Sequence, residues 1–155
     1  MSGEDLDSYS LEQLSQLKQQ EEGKLNQVTQ HYSQLKQAQI RFMGSKETLA
    51  ELGPDVKDKE VMVPLTQSLY VSGKIKDPST VIVELGTGFY AEQSLAKAGN
   101  FLDRKINLIG KNADNVYSVI ISGRKNLEAI IMTMQGKMGQ IQEGRAAQRA
   151  GNDGN

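Results

Sequence analysis

Residues 61–94 read VMVPLTQSLYVSGKIKDPSTVIVELGTGFYAEQS, and this stretch decides the architecture. Four β-rich runs lie within it: Val61 to Gln67, Leu69 to Lys76, Thr80 to Leu85 and Phe89 to Gln93. Turn signals punctuate them, Asp77-Pro78 and Gly86-Thr87-Gly88, so the reading is two β-hairpins. Pro64 has no N–H for a ladder, which makes the first strand an edge or a broken one. Along the third run Val81, Val83 and Leu85 fall on one face, with Ile82 and Tyr90 on the other register. Four short strands cannot cover such a surface themselves, and sheets of other subunits are the expected cover.

On the N-terminal side of this block the helix signals begin at Ser10. It stands as N-cap with Gln13 three residues on, while Tyr9 and Leu14 hold the two positions of a hydrophobic staple. No proline follows until Gly53-Pro54, so a helix is predicted over 11–52, roughly 63 Å long at 1.5 Å per residue. One heptad seam is Leu14, Glu21, Val28, Leu35, Phe42 and Leu49, and the other is Leu11, Lys18, Leu25, Tyr32, Gln39 and Lys46. Most of these are apolar, and the remaining faces are largely Gln, Glu, Lys and Ser. A stripe this narrow suits one partner helix rather than a globular core.

On the C-terminal side the pattern is stronger. Ser94 is a cap candidate for a helix over 95–147, roughly 80 Å in length. Its seams are Leu95, Leu102, Ile109, Val116, Gly123, Ile130, Lys137 and Gly99, Ile106, Ala113, Ile120, Leu127, Met134, Ile141. The helical glycines each cost about 1 kcal/mol relative to Ala, and Gly136, Gly139 and Gly144 crowd the end, so the last turns are expected to fray and 148–155 to be a disordered tail. The fold class is therefore α+β: a long antiparallel two-helix coiled coil with two central β-hairpins, with Leu52 and Leu95 near the sheet and Leu11 opposite about residue 136.

Composition agrees with a protein that works by surface. The 155 residues carry 18 Lys+Arg against 19 Asp+Glu, a net charge of -1, without the basic excess of a nucleic-acid binder. There is no Cys and one His, which excludes disulfides, thiolate metal sites and a Cys nucleophile. The 5% aromatic content leaves few bulky anchors for a globule. No run is long and apolar enough for a membrane span, the opening MSGEDLDSYS is unlike a signal or transit peptide, and a cytoplasmic setting is expected, with the nucleus open as a second compartment.

Chemistry is hard to place. His31 sits on a Gln-rich face with no ligand partner at metal spacing, which reads as a solvated histidine. Gly86-Thr87-Gly88 lacks the further signatures of a phosphate loop and is followed by strand-like Phe89-Tyr90-Ala91-Glu92, so a hairpin turn is favoured. The basic residues from Arg104 to Arg149 are interleaved with acids and read as a solvated face. Neither an enzyme nor a cofactor is expected. The apolar residues at the far end of the coiled coil invite a different role. Leu6, Leu11, Leu14 and Leu17 would meet Met132, Met134, Met138 and Ile141 there. Leu6, Leu17, Met132 and Met138 lie off the strict seam, so some are expected to be exposed, and adaptable thioethers and leucines suit the capture of unfolded chains.

The runs MVPLTQSLYVSGKI (62–75) and VIVELGTGFYAEQS (81–94), framed by long coiled-coil helices, resemble the α-type subunits of the prefoldin family over residues 10 to 142. The resemblance implies an ATP-independent co-chaperone built of two α-type and four β-type chains, whose strands form a shared platform. It makes the strand residues Val63, Leu65, Leu69, Val71, Ile75, Val81, Val83, Leu85 and Phe89 assembly residues, and the eight tip residues the client site. It implies other prefoldin subunits, unfolded actin and tubulin, and the cytosolic chaperonin as partners. The alternative is a structural coiled-coil adaptor with no client role.

Overall fold

The computed structural model describes residues 6–152. Its elements are helix α1 (Leu11–Ala50), a short 3-10 turn (Pro54–Val56), strands β1 (Glu60–Pro64), β2 (Tyr70–Lys74), β3 (Thr80–Gly86) and β4 (Phe89–Ser94), and helix α2 (Leu95–Asn152). Two long helices packed together flank two hairpins. The chain forms two compact units, one of Leu35–Asn112 and one of the segments before and after it, so each helix contributes to both.

The start of α1 shows how local sequence sets structure. Ser10 and Gln13 form a reciprocal capping box: the Ser10 N–H donates to Gln13 Oε1 at 2.9 Å and the Gln13 N–H to Ser10 Oγ at 3.2 Å. Two N–H groups that a helix start leaves without intrahelical partners are thereby satisfied. Tyr9 packs against the buried cluster that holds Leu14, as the staple spacing requires. At the other end the Glu51 and Leu52 amides donate to carbonyls three residues back, and Gly53-Pro54 stops the helix two residues short of the expected 52.

In the unit holding Leu35–Asn112, antiparallel packing is recorded by facing pairs. A Cβ on Gly99 would lie 3.8 Å from Leu49, Lys46 pairs with Asp103, and Gln39 Nε2 donates to the Ile106 carbonyl at 3.5 Å. The hairpins belong to this unit. β1 pairs antiparallel with β2, Val63 facing Val71, and β3 with β4, Val83 facing Ala91. They form two separate two-stranded sheets, so every strand is an edge and Pro64, at the end of β1, breaks no inner ladder. Ser94, expected as a helix cap, is the last residue of β4, and the first amide of α2, that of Leu95, donates to the Ser79 carbonyl.

In the other unit the helices are again antiparallel. The Tyr32 and Tyr117 rings stand 5.6 Å apart, a Cβ on Gly123 would lie 3.4 Å from Leu25, and Lys137 Nζ donates to the Asp7 carbonyl at 2.8 Å. The core here is the cluster of Leu6, Leu14 and Ile130, with Ala113 and Ile120 also buried. Along α1 every predicted seam position except Lys46 is sheltered, and along α2 every one except Ile141.

Two expectations need correction. Helix α2 runs to Asn152, five residues past the expected boundary at Ala147, so residues 148–152 of the expected disordered tail are helical and 153–155 lie outside the described residues. Gly110 and Gly123 do not simply loosen α2. Both face α1 side chains at close range, so the missing Cβ admits a neighbour. Gly136, Gly139 and Gly144 do stand in open space.

Candidate functional site

The hairpins present apolar side chains that stay exposed among the described residues. Cross-strand pairing puts Val61, Val63, Val71 and Gly73 on one face of the first hairpin, and a Cβ on Gly73 would lie 3.7 Å from Val63. Val63, Leu65, Leu69 and Val71 are exposed there. In the second hairpin Phe89 is 71% exposed and Leu85 is half bare. Val81, Val83 and Ile75 are only partly exposed. Val81 and Val83 turn toward the chain's own helices, lining a groove with Leu49 and Phe101, so the face expected to await outside cover is partly covered from within.

The expected assembly residues leave out four exposed strand residues: the expectation puts Ile82 and Tyr90 only on the other register and Met62 and Tyr70 on none. Met62 (72% exposed) and Tyr70 stand on the opposite face of the first hairpin, Ile82 (74%) and Tyr90 on that of the second. Alternation within each run carried the signal, since the opposite faces hold Met62 and Tyr70, and Ile82 and Tyr90, among the polar Ser72, Lys74, Glu84 and Glu92. A free-standing hairpin with bare apolar residues on both faces has no favourable state alone in water.

The turn between β3 and β4 is a tight one. Thr87 and Gly88 both have positive φ, +50° and +80°, the primed geometry whose twist matches a hairpin, and an irregularity between Glu84 and Gly86 precedes it. Strand β4 follows directly, so no helix N-terminus backs the glycines as a phosphate cradle would need. The loop joining the hairpins is tied by Asp77, which accepts from the Ser79 hydroxyl at 2.6 Å and the Ser79 N–H at 2.9 Å. Those two hydrogen bonds, with a smaller contribution from the field of Lys57, hold the Asp77 carboxyl below its ordinary pKa. Among the described residues no group of His, Asp and Glu has the arrangement to hold a metal, and no helix is long and apolar enough to cross a membrane.

At the terminal end the candidate residues divide. Leu6 (2% exposed) and Leu14 (0%) are buried against Ile130, which corrects their reading as client-contacting groups and, for Leu6, as an off-seam exposed one. The reason is a local fold-back: the Tyr9 N–H donates to the Leu6 carbonyl, and Lys137 holds the Asp7 carbonyl, which swings Leu6 into the seam. Leu11, Leu17 and Met134 are half-buried. Met132 (63%), Met138 and Ile141 are exposed, all from α2.

An antiparallel helix pair with a narrow seam, together with two hairpins that leave apolar side chains exposed, defines an α+β chain of the coiled-coil class. The family model described as "Prefoldin subunit" matches residues 11–140, and the chain belongs to the prefoldin family, whose members are non-enzymatic chaperone subunits. It is 38% identical over 144 residues to a probable prefoldin subunit 5 of Dictyostelium discoideum, covering 92% of this chain and 89% of that protein. It is 32% identical over 139 residues to prefoldin subunit 5 of Homo sapiens, covering 90% of each. A chain of the filamentous prefoldin of Methanocaldococcus jannaschii, solved by cryo-EM, has the same fold, with TM-score 0.66 at 18% identity over 76% of this chain and 98% of that one.

Proposed function

We propose that the chain serves as an α-type subunit of a hetero-hexameric prefoldin, assembling with other α-type and β-type subunits through its hairpins. In this reading the complex binds unfolded proteins such as actin and tubulin without ATP and passes them to the cytosolic chaperonin, in the cytoplasm and, as a second compartment, the nucleus. The observation that carries it is the set of exposed apolar side chains on both hairpins, Met62, Val63, Val71, Ile82 and Phe89 among them. The names of the relatives, prefoldin subunit 5, support the same role.

Client contact falls to Met132, Met138 and Ile141. They are exposed, and the flexible thioether of Met adapts to surfaces of no fixed shape. Several weak contacts joined on one platform gain avidity while each stays reversible, so release needs no nucleotide. The test is suppression of actin aggregation by the reconstituted hexamer carrying Met132→Gln, Met138→Gln and Ile141→Gln together. Reduced suppression with unchanged hexamer mass is the expected result. Unchanged suppression removes these residues as the client site, and a wild-type hexamer that suppresses nothing favours the adaptor role.

A further inference from the structure

Leu6 is 2% exposed, yet it lies outside helix α1 and ahead of the Ser10 cap. The chain turns over 7–9, and the Tyr9 N–H donates to the Leu6 carbonyl at 3.2 Å. Leu6 thereby enters the end of the seam as a separate plug, packed with Leu14 and Ile130, with Leu17 and Met134 around them. The seam that holds Leu14 on α1 and Ile130 on α2 continues, one heptad further toward this end, at Asp7 and Lys137, both polar. Lys137 does not extend the apolar packing there. Its Nζ donates to the Asp7 carbonyl at 2.8 Å and ties the segment to α2. The turn that carries this anchor lies between Gly136 and Gly139, where a Cβ would meet nothing, so the anchor stands on a stretch of low intrinsic helix preference.

We propose that residues 6–9 form a strap that closes this end of the chain against clients, with Leu6 as an intrachain competitor for an aliphatic side chain of the unfolded protein. The inference rests on the reading of the complex as a binder of unfolded proteins. Lifting the strap uncovers Leu14, Ile130 and Met134 and adds them to the apolar surface that Met132 and Met138 already present. Leu6 loses its burial when it leaves, and an aliphatic side chain of a client regains that burial in its place. The open seat is therefore a minor state of the free chain, and the client is what populates it. Apparent affinity falls with the fraction of chains whose site is open, so loosening the strap raises capture and fixing it lowers capture. A segment that only capped the helix end would be unmoved by a client.

The test uses the reconstituted hexamer with chemically unfolded actin and measures the hexamer concentration that halves aggregation. Leu6→Gln and Lys137→Gln loosen the strap by different means, and each is expected to lower that concentration about threefold. Asp7→Cys with Lys137→Cys, joined by a short bismaleimide before assembly, fixes the strap in a chain that has no other cysteine. The joined chain should raise the required concentration about threefold, and the same chain left unjoined should behave like Lys137→Gln. Actin added to the wild type should also speed amide exchange across 6–9, where the Tyr9 N–H is bonded. If joined and unjoined chains suppress aggregation alike, the segment is an end cap and the proposal is overturned, while the client reading stands. Exchange at 6–9 that actin leaves unchanged overturns it equally. Weaker suppression by Leu6→Gln at unchanged hexamer mass also overturns it, because Leu6 would then be a client contact. Should Leu6→Gln fail to assemble, the joined and unjoined pair decides alone. If no form, wild type or variant, suppresses aggregation, the client reading falls and the proposal with it.

Discussion

Gln39 reaches across the helix pair to Gly110: its Nε2 stands 2.9 Å from the place a Cβ on residue 110 would occupy, and the same amide donates to the Ile106 carbonyl. Its Oε1 accepts from Lys36 Nζ at 2.8 Å, so both ends of a polar side chain on the seam are engaged. Gly110→Ala should therefore displace a flexible amide, and the helix-propensity gain of about 1 kcal/mol is offset. Gly110→Leu cannot be accommodated so easily and should cost about 1–3 kcal/mol. Urea denaturation of the two variants checks the difference.

Gly136, Gly139 and Gly144 give the opposite expectation. A Cβ at any of them meets nothing within 4 Å. Each change to Ala should therefore stabilise the end of α2 by up to about 1 kcal/mol, seen as slower amide hydrogen exchange there.

Leu14→Ala removes a fully buried side chain from the cluster with Leu6 and Ile130. The lost burial and the cavity left behind should cost about 2–5 kcal/mol. Hydrogen exchange should show lost protection around residues 11–20 and 127–134, with the β3–β4 amides unchanged.

Thr87 is a β-branched residue held at φ +50° in the β3–β4 turn. Asn tolerates that conformation better, so Thr87→Asn should stabilise the hairpin by up to about 1 kcal/mol, whereas Gly88→Ala, at φ +80°, should destabilise it by about 1–2 kcal/mol. Thermal melts of the assembled complex distinguish the two.

Asp77 makes a pH prediction. Its carboxylate is favoured by the Ser79 hydroxyl, the Ser79 N–H and Lys57, so its pKa is lowered in the folded chain. A lowered pKa means the contribution to stability is fully present above the ordinary carboxylate pKa and is lost as pH falls through the folded value. Ser79→Ala should move the Asp77 titration, followed by NMR, back up toward the ordinary value.

Local sequence made several features legible because their causes are local. The Ser10–Gln13 capping box and the Tyr9–Leu14 staple depend on residues a few positions apart. The seams were readable because a period near 3.5 selects one helix face wherever the partner lies. The hairpins were legible from their turn residues, above all Gly86-Thr87-Gly88. Leu6 was not: its burial depends on a fold-back stabilised by Lys137, which lies 130 residues in sequence from its acceptor Asp7. Nor were Gly110 and Gly123, since a glycine in a helix reads as a cost until the side chain that fills its space is known.

The sequence by itself determined the element types, their order and the α+β coiled-coil class, because periodicity, capping and turn chemistry act over a few residues. Which apolar residues stay bare was decided only in three dimensions. Val81 and Val83 are partly covered by the chain's own helices, Ile82 and Tyr90 are not, and at the terminal end Leu14 is buried while Met132 is exposed. Hydrophobicity is a property of a side chain, but exposure depends on what packs against it, and those neighbours come from distant parts of the chain.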